Sequence, residues 1–274
     1  MPAAWSCGKR PRATPCGGRV RGLLDGSEEA YLADTLIIAT RFSGPPGTGN
    51  GGYVAGCLAT LVAQHRDGDA VEATLRRPVP LDRVLAVEAA ASGGIVLRDG
   101  DAVLADARPA TLVLDPPTAP DFAAAEAAAR SYLGFAGHAV SSCFVCGPAR
   151  AAGDGLRIFA GPLGDGRVAA PWIPEPRSAD ANGFVPPEFV WAALDCPGAF
   201  ALMGRRRRAM LLGRLTARLA GRIRVGERSI VMAWPIATDG RRQLAGSAVF
   251  TEAGALRGLA QATWFEVASY GRAT

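Results

Sequence analysis

NGGYVAGCLA at residues 50–59 and PPEFVWAALD at residues 186–195 are two segments that each start like a helix and continue as an apolar run. The first has two consecutive glycines after a polar residue, as an anion-binding helix start needs, but it ends in Ala59. The second begins with two prolines and ends in Asp195. If the segments are equivalent parts of a duplicated domain, we expect one composite site that joins backbone amides of one copy to a carboxylate of the other. Such a pairing suits chemistry on a carbonyl group.

Length and composition limit the class of protein. The chain has 274 residues, of which 49% are hydrophobic, enough for one large domain or two ordinary ones. Charge, Gly or Pro interrupts the apolar runs well before the roughly 20 residues that span a bilayer. No apolar segment follows the basic residues near the start, as it would in a secretory signal. We therefore expect a cytoplasmic protein with no membrane partner, whose six sparse cysteines are free thiols.

The charge is mildly basic. A net charge of +5 arises from 30 Lys and Arg, nearly all of them Arg, against 25 acidic residues. This excess is compatible with a phosphorylated small ligand, and the basic residues lack the interleaved aromatic side chains typical of nucleic-acid binding. We expect a small-molecule partner and no nucleic acid.

The first half is predicted to form one helix followed by strands. A buried strand is predicted at residues 36–40, a Gly/Pro loop at 43–49 and an apolar helix from Tyr53 to His65. Alternating apolar residues and an Asp99-Gly100 turn predict the strands that follow. These strands are residues 71–76, 84–91, 95–97, 103–105 and 111–114.

The second half repeats this order. A Pro-rich loop at residues 171–187 leads to a helix from about Pro187, which Pro197 is expected to kink, freeing a carbonyl. Asn50 and Pro186 lie 136 residues apart, and the two Asp-Gly turns lie 140 apart, so the period is that of whole domains. Strands are predicted at residues 215–219, 229–236, 243–250 and 256–267, with the second turn at Asp239-Gly240.

These patterns divide the chain into four parts. Residues 1–32, rich in Gly, Pro and Arg without periodicity, are predicted as a poorly ordered tail. Residues 33–118 and 141–274 are predicted as two domains, joined by a helical linker at 119–140 that packs across both copies. A helix followed by an antiparallel meander predicts, in each domain, a helix buried against a curved sheet, an α+β fold.

The order of elements, the two helix starts and CFVCGP at residues 143–148, with Gly155-Leu156, resemble the hotdog-fold acyl-CoA thioesterases, especially the phenylacetyl-CoA thioesterase-like branch. The resemblance covers roughly residues 33–268. It implies a double hotdog, two tandem copies of a long central helix wrapped by a curved antiparallel sheet. In that family a His-Gly-Gly or Asn-Gly-Gly opens the central helix, an Asp or Glu lies nine positions later, and the glycines of one subunit meet the acid of its neighbour.

Two elements of this family pattern are present. Asn50-Gly51-Gly52 matches the first, and Asp195, nine positions after Pro186, matches the second. Ala59 and the Pro186-Pro187 pair depart from it, which implies that the mirror-image second site is lost. The family activity makes coenzyme A part of the substrate and requires no metal or redox cofactor.

Physical chemistry gives each residue a role. The N–H groups in the first turn of a helix are unpaired and lie at the positive end of its dipole, so the amides of Gly51 and Gly52 are expected to form an oxyanion hole. Asn50 is expected to cap the helix or orient the carbonyl, and Asp195 to act as general base for water or as nucleophile. The alternative is that Asn-Gly-Gly merely caps a helix and that Asp195 is a solvated polar residue.

Gly44 to Gly49, GPPGTG, reads like the start of a phosphate-binding P-loop. Asn50 and Gly51 replace the Lys and the Ser/Thr that such a loop needs, so a simple structural loop is favoured.

Cys143-x-x-Cys146 matches half of a zinc site, but no second pair exists. His138 and one distant cysteine would have to complete it, so we expect buried or turn thiols and no metal. His65, near the end of the first predicted helix, is expected at the surface.

Two further groups of residues are candidates for substrate binding. Arg205, Arg206, Arg207 and Arg208 follow the second helix and are expected either to hold the phosphates of coenzyme A or to form a solvated charge run. An aromatic group is expected either to line an acyl or aryl pocket or to belong to the core; it consists of Phe42, Tyr53, Phe184, Phe189 and Trp191.

Three functions follow from the sequence and the resemblance. The first is hydrolysis of an acyl thioester at one composite site. The second is non-catalytic binding or scaffolding of acyl thioesters. The third is a hotdog hydratase or dehydratase, disfavoured because the MaoC-type family uses Asp and His five apart and neither helix start has a histidine nearby. One duplicated chain already mimics the usual hotdog dimer, and pairing of two chains into a homodimer stays open.

Overall fold

The computed structural model describes residues 34–62, 68–90, 93–204 and 208–270, so the predicted tail lies outside the described residues. Within these ranges the helices are α1 (Gly51–Ala59), α2 (Phe122–Ala129), α3 (Pro187–Ala193) and α4 (Cys196–Met203). The strands of the first half are β1 (Asp34–Leu36), β2 (Ala70–Leu75), β3 (Leu85–Ala89), β4 (Ile95–Asp99) and β5 (Ala102–Ala110). Those of the second half are β6 (Gly161–Pro162), β7 (Val168–Trp172), β8 (Ala209–Leu219), β9 (Ser229–Asp239), β10 (Arg242–Thr251) and β11 (Leu256–Val267).

All of these strands join in one antiparallel sheet, in the order β1-β3-β4-β5-β2-β8-β11-β10-β9-β7-β6. The two halves meet where β2 pairs with β8, with Val71 opposite Ala217 and Ala73 opposite Leu215. From this seam outward, β8-β11-β10-β9-β7 repeats the order β2-β5-β4-β3-β1. The chain is therefore two copies of one α+β unit on a shared sheet, as the sequence predicted.

The two predicted Asp-Gly turns are confirmed. Gly100, between β4 and β5, has φ 55°, and Gly240, between β9 and β10, has φ 56°. Both lie in the left-handed region that glycine adopts without steric cost. The equivalent hairpins of the two halves are thus closed by the same local chemistry.

The central helices α1 and α3 pack directly against each other. Gly52 and Gly56 lie on one face of α1, four residues apart. A Cβ at Gly52 would overlap Asp195 and lie 2.8 Å from the carbonyl oxygen of Trp191, and one at Gly56 would lie 2.6 Å from Cα of Glu188. Only glycine at both positions lets the two helix backbones approach this closely.

The second central helix is broken, as predicted from Pro197. Helix α3 ends at Ala193 and α4 begins at Cys196, with Asp195 between them at φ −84°, ψ −86°. Proline has no N–H to continue the helical hydrogen bonds. At the break the amide of Gly198 bonds the carbonyl of Asp195 instead of that of Leu194. The carbonyl of Leu194 accepts a hydrogen bond of 2.6 Å from the hydroxyl of Ser247 on β10. The break therefore gives Asp195 a non-helical backbone conformation, and a side chain of the sheet binds the carbonyl beside it.

The boundaries of the first half differ from the predictions. Helix α1 ends at Ala59 rather than extending further, and the chain after it tightens, with the amides of Leu61 and Val62 bonded to carbonyls three residues back. His65 lies outside the described residues. Strand β1 stops at Leu36, because Asp82 binds both the amide and the hydroxyl of Thr40 and draws the chain into a short 3-10 turn.

Three further differences concern strands and the linker. Residues 111–114 form no strand, because β5 itself continues to Ala110 and pairs there with Ala70 of β2. Strands β6 and β7 were not predicted. Helix α2 packs on β6, β7 and β9 of the second half, where Phe122 and Ala125 are buried, rather than across both copies. None of the helices in the described ranges is long and apolar enough to cross a membrane.

Candidate active site

The two segments that opened the sequence analysis meet at the N-terminus of α1. Asn50 caps this helix, its Oδ1 accepting from the amide of Tyr53 at 2.9 Å. Its Nδ2 donates to Oδ2 of Asp195 at 3.1 Å, and the amide of Gly52 donates to the same oxygen at 2.8 Å. The structure thus joins a helix start of the first half to the carboxylate at the helix break of the second.

Asp195 is held by one oxygen and leaves the other free. It is 2% exposed, so the alternative of a solvated residue is wrong. Burial raises the pKa of its carboxyl to about 7, opposed by the hydrogen bonds from Gly52 and Asn50. Its Oδ1 is buried with no hydrogen-bond partner in the described part of the chain. Near neutral pH the group can therefore either accept or return a proton at Oδ1.

The first-turn amides of α1 are not equivalent. The amide of Gly52 is occupied by Asp195 and that of Tyr53 by Asn50. The amide of Gly51 has no acceptor among the described residues, and Gly51 lines the adjoining cavity. The expectation of an oxyanion hole made by both glycines is therefore corrected: only Gly51 has an open amide, because the carboxylate of Asp195 already satisfies the amide of Gly52.

A cavity of about 1110 Å³ adjoins these groups. Its wall includes Asn50, Gly51 and Asp195 and is otherwise mostly apolar. The indole Nε1 of Trp264, buried in this wall, has no acceptor in the described ranges. The large apolar side chains of the wall are Val54, Leu75, Val79, Leu133, Val140, Phe200, Met203, Met210, Leu211, Leu212, Trp264 and Phe265.

Comparison with known proteins concerns the architecture. No protein-family model matches the sequence, and no curated protein matches it. Among solved structures, a conserved protein from Alicyclobacillus acidocaldarius, described as having a hot dog fold, matches with a TM-score of 0.55 at 9% identity, over 86% of this chain and 93% of that one. The chain has the hotdog fold.

Two other solved structures are similar to this chain over most of its length. The tesB protein MAP1729c of Mycobacterium avium subsp. paratuberculosis matches with a TM-score of 0.58 at 15% identity, over 85% of this chain and 92% of that one. A protein of Novosphingobium aromaticivorans, provisionally assigned as a thioesterase, matches with a TM-score of 0.57 at 13% identity, over 92% of this chain and 99% of that one. Because each half supplies one central helix and half of the sheet, the chain is a double hotdog. The fold expected from the resemblance is confirmed.

The second hotdog unit lacks the polar groups of the first at its own helix start. Helix α3 begins at Pro187 after Pro186, with no side-chain cap, and neither proline has an N–H. Ala59, the counterpart of Asp195, is buried and apolar. Of the two equivalent helix starts in this hotdog pair, that of α1 has a side-chain cap and faces a carboxylate, whereas that of α3 has no such cap and carries the buried acid Glu188 in its own first turn.

Four of the five residues of the aromatic group belong to the core, and none lines the cavity. The rings of Phe42 and Tyr53 stack at 3.9 Å between centroids, and Phe189 and Trp191 are buried. Phe184 lies beneath the guanidinium groups of two arginines near the start of α3. None of the five lines the hotdog cavity, whose aromatic residues are Phe200, Trp264, Phe265 and Tyr270. Trp264 and Phe265 reach it from β11, a placement fixed by sheet register that no local motif indicates.

The basic residues at the cavity differ in how they are paired. Arg205, Arg206 and Arg207 lie outside the described residues. Arg208 lines the cavity and forms an ion pair with Glu266. Arg77, which the sequence did not single out, is exposed at the cavity and takes part in none of the ion pairs among the described residues.

Three cysteines surround the amide end of Asn50. Cys143, Cys146 and Cys196 are buried free thiols whose sulfur atoms lie within 4.8 Å of one another, and all three line the cavity. Nδ2 of Asn50 lies 3.8 Å from the sulfur of Cys143 and 3.7 Å from that of Cys196. Hydrogen bonds among the thiols lower the pKa of Cys143 and raise the pKa of Cys146 and of Cys196. The expected CxxC pair is therefore part of a larger cluster.

In the Gly-rich loop before α1, three backbone amides already donate hydrogen bonds within the protein. The amide of Gly44 bonds the carbonyl of Thr48, that of Thr48 bonds Pro45, and that of Gly49 bonds Val79. A phosphate-binding loop needs such amides free. The loop therefore serves as a wall of the cavity and a support for Asn50.

Proposed function

We propose that this double hotdog hydrolyses an acyl thioester at the single site between Asn50, Gly51 and Asp195. The observation that carries the proposal is the buried carboxylate of Asp195, with one oxygen fixed by two donors and the other free, beside the open amide of Gly51. Two of the structures that share the fold are a tesB protein and a protein provisionally assigned as a thioesterase, which supports the same reaction.

The reaction uses the two open groups in turn. The amide of Gly51 donates to the thioester carbonyl oxygen and stabilises the negative charge that develops there. Oδ1 of Asp195 accepts a proton from a water molecule as that water attacks the carbonyl carbon. The tetrahedral intermediate then breaks its carbon–sulfur bond, and the proton held by Asp195 passes to the leaving thiolate, giving a free acid and a free thiol.

Asn50 and Gly52 act as positioning residues in this scheme. Their two hydrogen bonds to Oδ2 of Asp195 fix the carboxylate plane and leave only Oδ1 to exchange a proton. The same bonds oppose the effect of burial on the pKa of Asp195, so that part of it is ionised at neutral pH. A base with a pKa near the working pH is the most efficient one.

The cavity favours an apolar acyl group on a phosphorylated carrier. Its mostly apolar wall and volume of about 1110 Å³ suit a long or bulky acyl chain. The exposed guanidinium of Arg77 and the half-buried one of Arg208 can bind phosphate oxygens of coenzyme A. Arg77 needs no partner to be released first, whereas Arg208 must give up Glu266.

The hydratase alternative would need a histidine near Asp195, and the one that lies there already has contacts at both ring nitrogens. His138 lines the same cavity as Asp195, which the sequence did not indicate. Its Nδ1 accepts from the amide of Val140 at 2.9 Å, and its Nε2 lies 3.3 Å from the sulfur of Cys146. Both ring nitrogens are thus engaged, so thioester hydrolysis by Asp195 is favoured over Asp/His chemistry.

The test is release of thiol from short, long and aromatic acyl-CoAs by the wild type and by Asp195→Asn. Asp121→Asn is the matched control, because Asp121 also accepts a hydrogen bond from a helix-start amide but lies away from the cavity. We expect the wild type and the control to turn over the preferred acyl-CoA, and Asp195→Asn to lose at least about 10²-fold in kcat.

Calorimetric binding of a non-hydrolysable acyl-CoA analogue separates the remaining functions. Binding retained in Asp195→Asn without turnover supports Asp195 as the base. Binding without turnover in the wild type would overturn the enzyme proposal in favour of a scaffold, and unchanged turnover in Asp195→Asn would remove Asp195 from the mechanism.

A further inference from the structure

The thiol cluster is assembled from two distant parts of the chain. Cys143 and Cys146 lie on a tight turn before β6, and Cys196 is the first residue of α4, immediately after the helix break. The sulfur atoms of Cys143 and Cys196 are 3.7 Å apart, and all three sulfur atoms lie within 4.8 Å of one another. Three buried sulfur atoms therefore converge on one point.

Their spacing matches the edges of a tetrahedral metal site. With zinc–sulfur bonds of about 2.3 Å, two sulfur ligands at tetrahedral angles lie about 3.8 Å apart. The observed 3.7 Å between Cys143 and Cys196 equals this edge closely, and the third sulfur, within 4.8 Å, is less than about 1 Å too far. A disulfide, by contrast, needs sulfur atoms about 2 Å apart.

The turn that carries the first two cysteines places backbone groups beside sulfur. The backbone of Val145 and of Cys146, beside the sulfur of Cys143, contributes to lowering the pKa of that thiol. The amide of Gly147 bonds the carbonyl of Cys143 at 2.9 Å, and a Cβ at this glycine would lie 2.5 Å from the backbone of Cys143 and of Ser141. Glycine is thus required for the turn, and the turn supplies the backbone groups that favour a thiolate at Cys143.

Side chains complete the surroundings of the sulfur atoms. One amide hydrogen of Asn50 points toward Cys143 and Cys196, while the other is bonded to Asp195. The amide of Val140 donates to Nδ1 of His138, so the neutral ring carries its proton on Nε2 and donates it toward the sulfur of Cys146. Hydrogen-bond donors are thus directed at all three sulfur atoms. Groups that bind a metal ion are typically held by such hydrogen bonds from the residues around them.

We propose that Cys143, Cys146 and Cys196 bind one zinc ion in the wall of the cavity, with the fourth tetrahedral position facing the cavity and open to water. Thiolate ligands select zinc over the hard cations Mg²⁺ and Ca²⁺, and binding releases the protons of the thiols. The ion would fasten the turn before β6 to the start of α4, and so fix the helix break that positions Asp195. The expectation of no metal rested on a missing second cysteine pair; Cys196, 50 residues along the chain from Cys146, supplies the third sulfur instead.

The first test is the metal content of the full-length protein, purified without chelators and without a histidine tag. We expect one zinc per chain by elemental mass spectrometry. Cys143→Ser and Cys196→Ser should lower it by about tenfold or more. Cys57→Ser is the matched control, because Cys57 is also a buried cysteine outside any disulfide but lies outside the cluster, and this variant should keep its zinc.

A second measurement on the wild type remains decisive if the serine variants do not fold. Replacement of zinc by cobalt should produce the sulfur-to-cobalt charge-transfer absorption and the strong visible bands of tetrahedral thiolate coordination. Wild-type protein that is fully reduced yet takes up neither zinc nor cobalt would overturn the proposal, as would a metal-free protein with a disulfide between Cys143 and Cys196. Asp195→Asn should keep its zinc, so failure of the metal site and failure of the hydrolase proposal are distinguishable.

Discussion

Helices α1 and α3 hold equivalent places in the two hotdog units, yet their first turns offer opposite chemistry. Helix α1 begins with a capping Asn50 and the open amide of Gly51, and it ends in Ala59. Helix α3 begins with two prolines that have no N–H, and the chain reaches Asp195 where α3 ends. Each helix has kept the end that serves the one site and lost the polar groups that would serve a second.

The difference shows what a buried acid requires. Asp195 is tolerated at 2% exposure because two donors at the start of α1 bind its carboxylate. At the start of α3, Pro186 stands in the place of Asn50 and has no side-chain donor, and the counterpart of Gly52 is the acid Glu188. The proline pair instead stabilises that helix start by restricting the unfolded chain. An acid at one helix end and amides at the facing helix start are therefore useful only together.

The largest effect is expected from restoring the lost acid alone. Ala59→Asp places a carboxylate in a buried position that faces a helix start without a side-chain cap and with the buried acid Glu188 in its first turn. We expect a loss of roughly 4 kcal/mol in the free energy of unfolding, measured by urea denaturation. Ala59→Ser should lose much less. If Ala59→Asp were as stable as the wild type, the second helix start could still accommodate an acid.

The next effect tests the close approach of the helices. In Gly52→Ala the new methyl group meets the backbone of α3 and Asp195, whereas in Gly51→Ala it meets only the tips of Leu212 and Leu75 at 3.0 Å. We expect Gly52→Ala to lose about 3 kcal/mol and Gly51→Ala about 1 kcal/mol of unfolding free energy. Thermal and urea unfolding of the pair measure this, and equal losses would contradict the asymmetry between the two glycines.

The two helix starts can be compared directly by removing their first residues. Asn50→Ala removes an N-cap and a hydrogen bond to a buried carboxylate, so we expect it to cost about 2 kcal/mol and to lower kcat. Pro186→Ala removes no side-chain cap and loses only the restriction of the unfolded chain, so it should cost less than about 1 kcal/mol. A larger loss at Pro186 than at Asn50 would reverse the comparison.

The smallest effect concerns the break that only the second helix has. Ser247→Ala leaves the carbonyl of Leu194 without its hydroxyl donor, which we expect to cost about 1 kcal/mol of unfolding free energy. Ser247→Thr, which keeps a hydroxyl, is the control. No loss in the alanine variant, measured by urea denaturation, would show that the break needs no support from β10.

Local pattern predicted the strands and turns well, and the element ends poorly. Strand β11 was predicted at its observed bounds, because no proline or turn sequence interrupts its twelve residues. Strand β7 was missed because VAAPW is short and contains a proline, which reads as loop. The end of α1 was missed because Thr60, Leu61 and Val62 include no Gly or Pro to mark it, although the chain tightens there.

The site was predictable only where the two copies could be compared. Asn50 and Asp195 are separated by 145 residues, yet each stands where its equivalent segment lacks the polar residue, and this complementarity brought them together. No such comparison was possible for Trp264 or Cys196. Their positions follow from sheet register and from where α4 begins, neither of which a local motif records.

The pairing of β2 with β8 also has a consequence for how the protein behaves at low abundance. When two separate subunits share a site, dilution separates them and the fraction of complete sites falls with concentration. Here the partners belong to one polypeptide, so each half meets the other at a fixed effective concentration set by the intervening chain. The fraction of assembled sites in this chain should therefore not depend on how many copies of it a cell contains.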